Sequence, residues 1–162
     1  MMSTVKNYLS LVKFSHTIFA MPFAMIGFFL AFTDKQWFFS RDSLHQLLVE
    51  ESNTYLAALK LFLLVIICMV TARSAAMAFN RYLDRSFDAK NPRTAIREIP
   101  KGIISANNAL RFVILNCGLF ITATYFINSI CFYLSPVALF VTLFYSYTKR
   151  FTPFCHLVLG LG

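Results

Sequence analysis

From Phe112 to Thr148 the chain runs for 37 residues without a charged side chain. A hydrocarbon core about 30 Å thick is crossed by about 20 apolar helical residues, so one straight helix of this length overshoots. The run divides near Asn128-Ser129 into two short spans, about 106–127 and 130–148, with Ser105 placed as the N-cap of the first and Lys149-Arg150 closing the second. An earlier uncharged run, 14–33, reads as the first span, with Pro22 as its kink. It is not a cleavable leader, because no small-residue cleavage site follows Phe32. Another span covers about 54–79, with Lys60 able to snorkel near its start and Arg73 near its end. The final run, 151–162, has 12 residues and is too short to cross; it reads as an incomplete fifth span. The expected fold is all-α, a polytopic transmembrane helix bundle, with residues 1–162 forming the N-terminal part of a longer protein.

Composition excludes the alternatives. Apolar residues make up 58% and charged residues 14%, against roughly 45–50% and 25% in soluble domains, while disorder needs the opposite balance. A net charge of +8 raises the question of nucleic acid, but the basic residues are unevenly placed. Lys6 and Lys13 precede the first span, eight Lys/Arg lie from Arg73 to Arg111, and Lys149-Arg150 follow the fourth span; only Lys35, Arg41 and Lys60 fall on the other side. Basic residues gather on the cytoplasmic side of membrane proteins. The expectation is a multi-pass protein of a bacterial cytoplasmic membrane, N-terminus and central loop inside, with the lipid bilayer and no nucleic acid as partner. Cys68, Cys117, Cys131 and Cys155 form no C-x-x-C pair and read as small buried hydrophobes.

The chemistry concentrates between Arg73 and Thr94, R-S-A-A-M-A-F-N-R-Y-L-D-R-S-F-D-A-K-N-P-R-T. Asn80, Asp84 and Asp88 are four residues apart, and at about 100° per residue they drift only some 40° per step, so they share one helix face. Arg73, seven residues before Asn80, lies on the same stripe, with Arg81 and Arg85 to one side. Asn91-Pro92 ends the helix. Two acids and an amide ringed by arginines suit Mg²⁺, which takes one or two protein carboxylates and fills its shell with water and phosphate oxygens. Arginines hold phosphates, bidentately where geometry allows. Spacing alone leaves a second reading open, in which Asp84 and Asp88 pair with Arg81, Arg85 or Lys90 on a solvated helix end.

The stretch N-R-Y-L-D-R-S-F-D-A-K-N-P-R-T-A-I-R-E-I-P-K-G resembles the first aspartate-rich motif and following loop of the UbiA-type membrane aromatic prenyltransferases, in the branch acting on 4-hydroxybenzoate. K-F-S-H-T-I-F-A-M-P-F-A at 13–24 and Y-S-Y-T-K-R-F-T at 145–152, followed by H-L-V-L-G, are similar to the same branch in the same order. The resemblance implies a bundle of roughly nine helices and Mg²⁺-dependent transfer of a polyprenyl group from polyprenyl diphosphate to an aromatic acid acceptor in quinone biosynthesis. It implies Asn80, Asp84 and Asp88 as metal ligands, Asp84 and Asp88 as catalytic, and Tyr145 and Lys149 as a diphosphate-contacting Y-x-x-x-K element. Arg93 falls in a loop that resembles the cap over the site, and Arg73 is either diphosphate-facing or a snorkelling, structural arginine. Two departures stand out. Asn80-Arg81 replaces the Asn-Asp of many relatives, which leaves the number of metal ions open, and the family's second aspartate-rich motif lies beyond residue 162, so this stretch alone is expected to be inactive.

His16 lies in a family-like stretch and is assigned an interfacial structural role ahead of one near the acceptor; His45 is expected to be solvated, and His156 has no assigned mechanism. Asn116 is expected to serve helix packing and Asn128 a turn. Competing functions are prenyl transfer to a different aromatic acid in menaquinone synthesis and, in another class, a transporter fragment. The CDP-alcohol phosphotransferase pattern D-G-x-x-A-R is absent, since Arg85-Ser86-Phe87-Asp88 follow Asp84.

Overall fold

A computed structural model describes residues 2–33 and 54–148, which form five helices and no strand among the described residues. They are α1 (Met2–Leu11), α2 (Phe14–Thr33), α3 (Thr54–Lys90), α4 (Ala106–Ile127) and α5 (Ser129–Thr148). Three of them, α3, α4 and α5, hold stretches long and apolar enough to cross a membrane; in α2 the apolar stretch Thr17–Leu30 is shorter. The segment from Asp34 to Asn53 and the expected fifth span from 151 lie outside the described residues, together with His45, Lys149, Cys155 and His156.

The sequence's charge breaks set the helix ends. Ser105, in extended backbone (φ −67°, ψ 148°), accepts the Asn108 N–H and caps α4. Asn128 interrupts the long uncharged run: it is extended (φ −165°, ψ 149°), donates its N–H to the Thr124 carbonyl, and its Oδ1 accepts the Ile130 N–H at 3.1 Å. One asparagine thus ends α4 and opens α5, as a residue with both an amide and a short acceptor can. Pro22 and Pro136 are both accommodated inside helices.

Two elements extend beyond the expected spans. The helix expected to cross over 54–79 continues unbroken to Lys90, 37 residues in all. At 1.5 Å per residue it is about 55 Å long, so its last turns project past any hydrocarbon core. The N-terminal residues, to which the sequence reading assigns no element, form α1. It ends where Lys13 takes a left-handed conformation (φ 45°) and turns the chain into α2. No long apolar run marks α1; its buried anchors are Leu11 and, just beyond it, Val12.

The described core lies at the loop end of α3. Leu11, Ala75, Ala78, Ile99, Ile104, Ala109 and Val113 form one cluster, flanked by Tyr8, Phe79, Tyr82 and Phe112. Alanines at 75, 78 and 109 let α3 and α4 run close together along their most extensive contact. α5 packs on both of them, and α2 lies against α3. Large apolar side chains such as Phe19, Phe23, Tyr133 and Phe140 stand exposed on the outside, the arrangement of a bundle whose solvent is lipid. Cys131 is exposed on this outer surface and Cys68 and Cys117 are only half-buried, so the expectation of buried cysteines is corrected. An α-helix hides side chains only on the stripe facing its neighbours, and lipid accepts a thiol.

The tight α3–α4 contact predicts that Ala78→Leu costs about 1–3 kcal/mol through overpacking, whereas truncation of exposed Leu119 to Ala stays within about 0.5 kcal/mol. Unfolding of the purified protein in mixed detergent micelles distinguishes the two.

Candidate functional site

The stripe at the end of α3 has a graded environment. Asn80 and Asp84 are half-buried, and Asp88, in the last turn, is only 7% exposed. Successive members are offset by about 6 Å along the axis, so they form a column of oxygen donors along one face. The helix then stops at Asn91-Pro92, where the Asn91 side chain accepts the Arg93 N–H at 3.0 Å and turns the backbone.

Residues 91–105 fold back on that column as a built structure. The Thr94 hydroxyl donates to the Asp88 carbonyl at 3.0 Å, and the Ala95 N–H to the Asn91 carbonyl at 2.9 Å. Gly102 provides a left-handed turn (φ 76°) that an L side chain would strain. Ile99 and Ile104, 8% and 4% exposed, sink the loop into the core.

Charges complete the attachment. Arg97 Nη1 donates to both oxygens of Asp88, at 2.8 and 2.7 Å. Its neighbour Glu98 accepts from Arg81 Nη1 at 2.5 Å and from the Ser10 hydroxyl of α1. Arg81 and Asp88 are seven residues apart on α3, two turns along the same side. The loop therefore presents one cation and one anion to an anion and a cation. Arg85 is engaged locally, donating to the Tyr82 carbonyl at 2.7 Å and resting 4.3 Å from that ring's centroid.

For Asp88 this corrects the local-pair alternative. Asp88 pairs with Arg97 across nine residues, and Arg81 with Glu98 across 17, rather than with neighbours on α3. Sequence reasoning passed over Glu98 and Ser10 as partners. The signal was available, since Arg97-Glu98 carry charges opposite in order to Asp88 and Arg81, but no helical period links a helix to a loop.

Arg73 sits about 10 Å further along α3 from Asn80. It is half-buried, and its Nε is buried with no hydrogen-bond partner among the described residues. A cation within an apolar helix with an unsatisfied N–H is a place prepared for an anion. Arg93 is exposed on the loop. Tyr145 is half-buried in the last turn of α5. Because α3, α4 and α5 are consecutive bilayer-length elements packed together, they alternate in direction, and the last turn of α5 falls at the same end as the column. Lys149 and the His16 side chain lie outside what the structure describes. The donor chemistry fits a hard divalent cation, with carboxylate and amide oxygens in a column and, on the same helix, an arginine whose Nε has no hydrogen-bond partner among the described residues. Among the described residues no cluster of three or more His, Cys, Asp or Glu stands ready as a self-contained metal cage.

The Arg81–Glu98 pair, with side chains 9% and 12% exposed, predicts that Glu98→Gln destabilises the protein by about 3 kcal/mol by leaving the guanidinium group buried without its counter-charge. Arg81→Met combined with Glu98→Leu recovers most of that loss. Thermal unfolding in detergent measures both.

Curated relatives share this segment. The chain is 36% identical over 104 residues to the 4-hydroxybenzoate octaprenyltransferase of Vesicomyosocius okutanii subsp. Calyptogena okutanii (strain HA), covering 64% of this chain and 38% of that protein. It is 35% identical over 105 residues to the enzyme of the same name from Vibrio cholerae, covering 64% of this chain and 37% of that one. The chain thus spans well under half the length of the curated relatives it matches. The apo structure of a UbiA homolog from Aeropyrum pernix K1 superimposes with a TM-score of 0.65 at 29% identity, over 90% of this chain and 45% of that chain. Residues 47–162 match the UbiA prenyltransferase family, and the chain belongs to that family.

Proposed function

We propose that the protein transfers a polyprenyl group from polyprenyl diphosphate to an aromatic acid acceptor, 4-hydroxybenzoate in the first instance, at the cytoplasmic face of a bacterial membrane. The observation that carries the reading is the column of Asn80, Asp84 and Asp88 on the same helix as Arg73, whose buried Nε has no partner among the described residues. Family membership and relatives named as 4-hydroxybenzoate octaprenyltransferases support it. Asn80, Asp84 and Asp88 would hold Mg²⁺. When bound, the metal supplies positive charge that stabilises a departing diphosphate.

The chain's own residues supply the remainder. Arg73, Arg93, Tyr145 and Lys149 bind and orient the diphosphate, their charges and hydroxyl directed at oxygens whose negative charge grows as the allylic C–O bond breaks. The prenyl chain, wholly apolar, lies among the lipid-facing helices, so only the head group needs a polar site. The freed allylic carbon is attacked by a ring carbon of the acceptor, activated by its hydroxyl group; the ring then loses a proton and regains aromaticity. Aromatic rings of the bundle shield the cation through their π faces. The folded loop over residues 91–105 covers the column and limits water, which would otherwise capture the cation.

The test uses the full-length protein in membranes, with radiolabelled polyprenyl diphosphate and 4-hydroxybenzoate. Transfer should require Mg²⁺, and Asp84→Asn or Asp88→Asn should each lower it by at least about a hundredfold, the scale of losing one group that stabilises developing charge. Near-normal turnover in either variant contradicts the assignment.

A further inference from the structure

Asp88 is the most deeply buried member of the column, and its carboxylate is already occupied. Both oxygens accept from a single atom, Arg97 Nη1, at 2.8 and 2.7 Å. A donor seated between the two oxygens of a carboxylate stands where a bidentate cation binds. The two sides of the pair differ in freedom: the Asp88 side chain is 10% exposed, and that of Arg97 is 33% exposed. The arginine therefore has a way out and the aspartate does not.

Charge makes the occupancy exclusive. Arg81, Asp88, Arg97 and Glu98 sum to zero, with each charge matched. A divalent cation arriving at Asp88 with Arg97 in place would set two cations against one carboxylate in a poorly solvated site. The loop does not depend on that one pair for its position. The Thr94 hydroxyl, the Arg81–Glu98 pair and the buried Ile99 and Ile104 hold it independently, so the Arg97 side chain can leave Asp88 while the loop stays.

We propose that Arg97 is a positioning residue that acts through Asp88. Its guanidinium group stands in for the metal, holding the carboxylate aimed and compensated until the anionic substrate arrives with its cation. It then yields Asp88 to the metal and turns to the diphosphate oxygens. The exchange ties loading of the metal to loading of the diphosphate, because only the anion compensates the displaced arginine. This deepens the reading of the site given above and rests on it.

The two are separable by Mn²⁺ binding to the purified full-length protein in detergent, read from the electron paramagnetic resonance signal of the free ion with no substrate present. Arg97→Gln removes the competitor and should tighten Mn²⁺ binding by at least about tenfold, as expected for losing a hydrogen bond to a charged group. Arg97→Lys should fall between wild type and Arg97→Gln, and adding Asp88→Asn to Arg97→Gln should cancel the gain. A purely structural arginine would give the opposite, since its loss would loosen the site and weaken binding. Unchanged or weaker affinity in Arg97→Gln, with helical circular dichroism intact, overturns the exchange. Should Arg97→Gln fail to fold, Arg97→Lys decides the matter: tighter binding than wild type supports the exchange, and equal or weaker binding refutes it. Asp84→Asn is the control on the site itself. If it leaves Mn²⁺ affinity at the wild-type value, the metal assignment fails; if it weakens binding while Arg97 variants change nothing, only the exchange fails.

Discussion

The pairing of two buried charges on α3 with two adjacent charges of the following loop governs the architecture of the site. An ionised carboxylate at 7% exposure and a guanidinium group at 8% would each cost several kcal/mol if left alone. Arg97 and Glu98 remove that cost together, because consecutive loop residues of opposite sign meet Asp88 and Arg81 two helical turns apart. The loop is thereby fixed in register against α3, and Ser10 brings α1 into the same contact. Ile99 and Ile104 then bury their side chains in the core below. Electrostatics selects where the loop lies, and apolar burial holds it there.

Set against this compensated cluster, Arg73 is an exception on the same helix. Arg81, Asp88, Arg97 and Glu98 find partners within the protein, whereas the Nε of Arg73 is buried without one among the described residues. Two buried ion pairs thus stand at the loop end of α3, and an arginine with an unpartnered Nε stands two turns before Asn80. The proposed diphosphate leaving group would use both features: oxygen donors to share a cation with it, and a guanidinium group to meet its own oxygens. The small residues Ala75 and Ala78 share the same stretch of helix. They bring α4 close and keep the polar column supported by a rigid neighbour.

Much of this was legible in the amino-acid order, and the part that was not has a physical cause. Uncharged runs bounded by charges marked α2, α4 and α5, because backbone in lipid must be helical and the bilayer sets its length. The Ser105 cap and the Asn128 turn followed from side chains that replace backbone partners. The four-residue spacing of Asn80, Asp84 and Asp88 put them on one face without reference to tertiary structure. The end of α3 was legible in Asn91-Pro92, although hydropathy closes the span near 79, since hydropathy ends where lipid ends but the helix continues into the interface until the proline. α1 was missed because ten residues with one amphipathic face carry little periodic signal, and its burial comes from contacts made elsewhere. The partners of Asp88 and Arg81 were missed because a loop has no period; Arg97 and Glu98 meet α3 only after the chain reverses.

The most direct measurement is the location of the metal. A structure of the full-length protein with Mn²⁺ and an unreactive thiolodiphosphate analogue would show it through the ion's anomalous signal. The account predicts density for the ion at coordination distance, about 2.1 Å, from oxygens drawn from Asn80, Asp84 and Asp88, with an analogue oxygen completing the contact. A peak elsewhere, with those three side chains turned from the analogue, would contradict it.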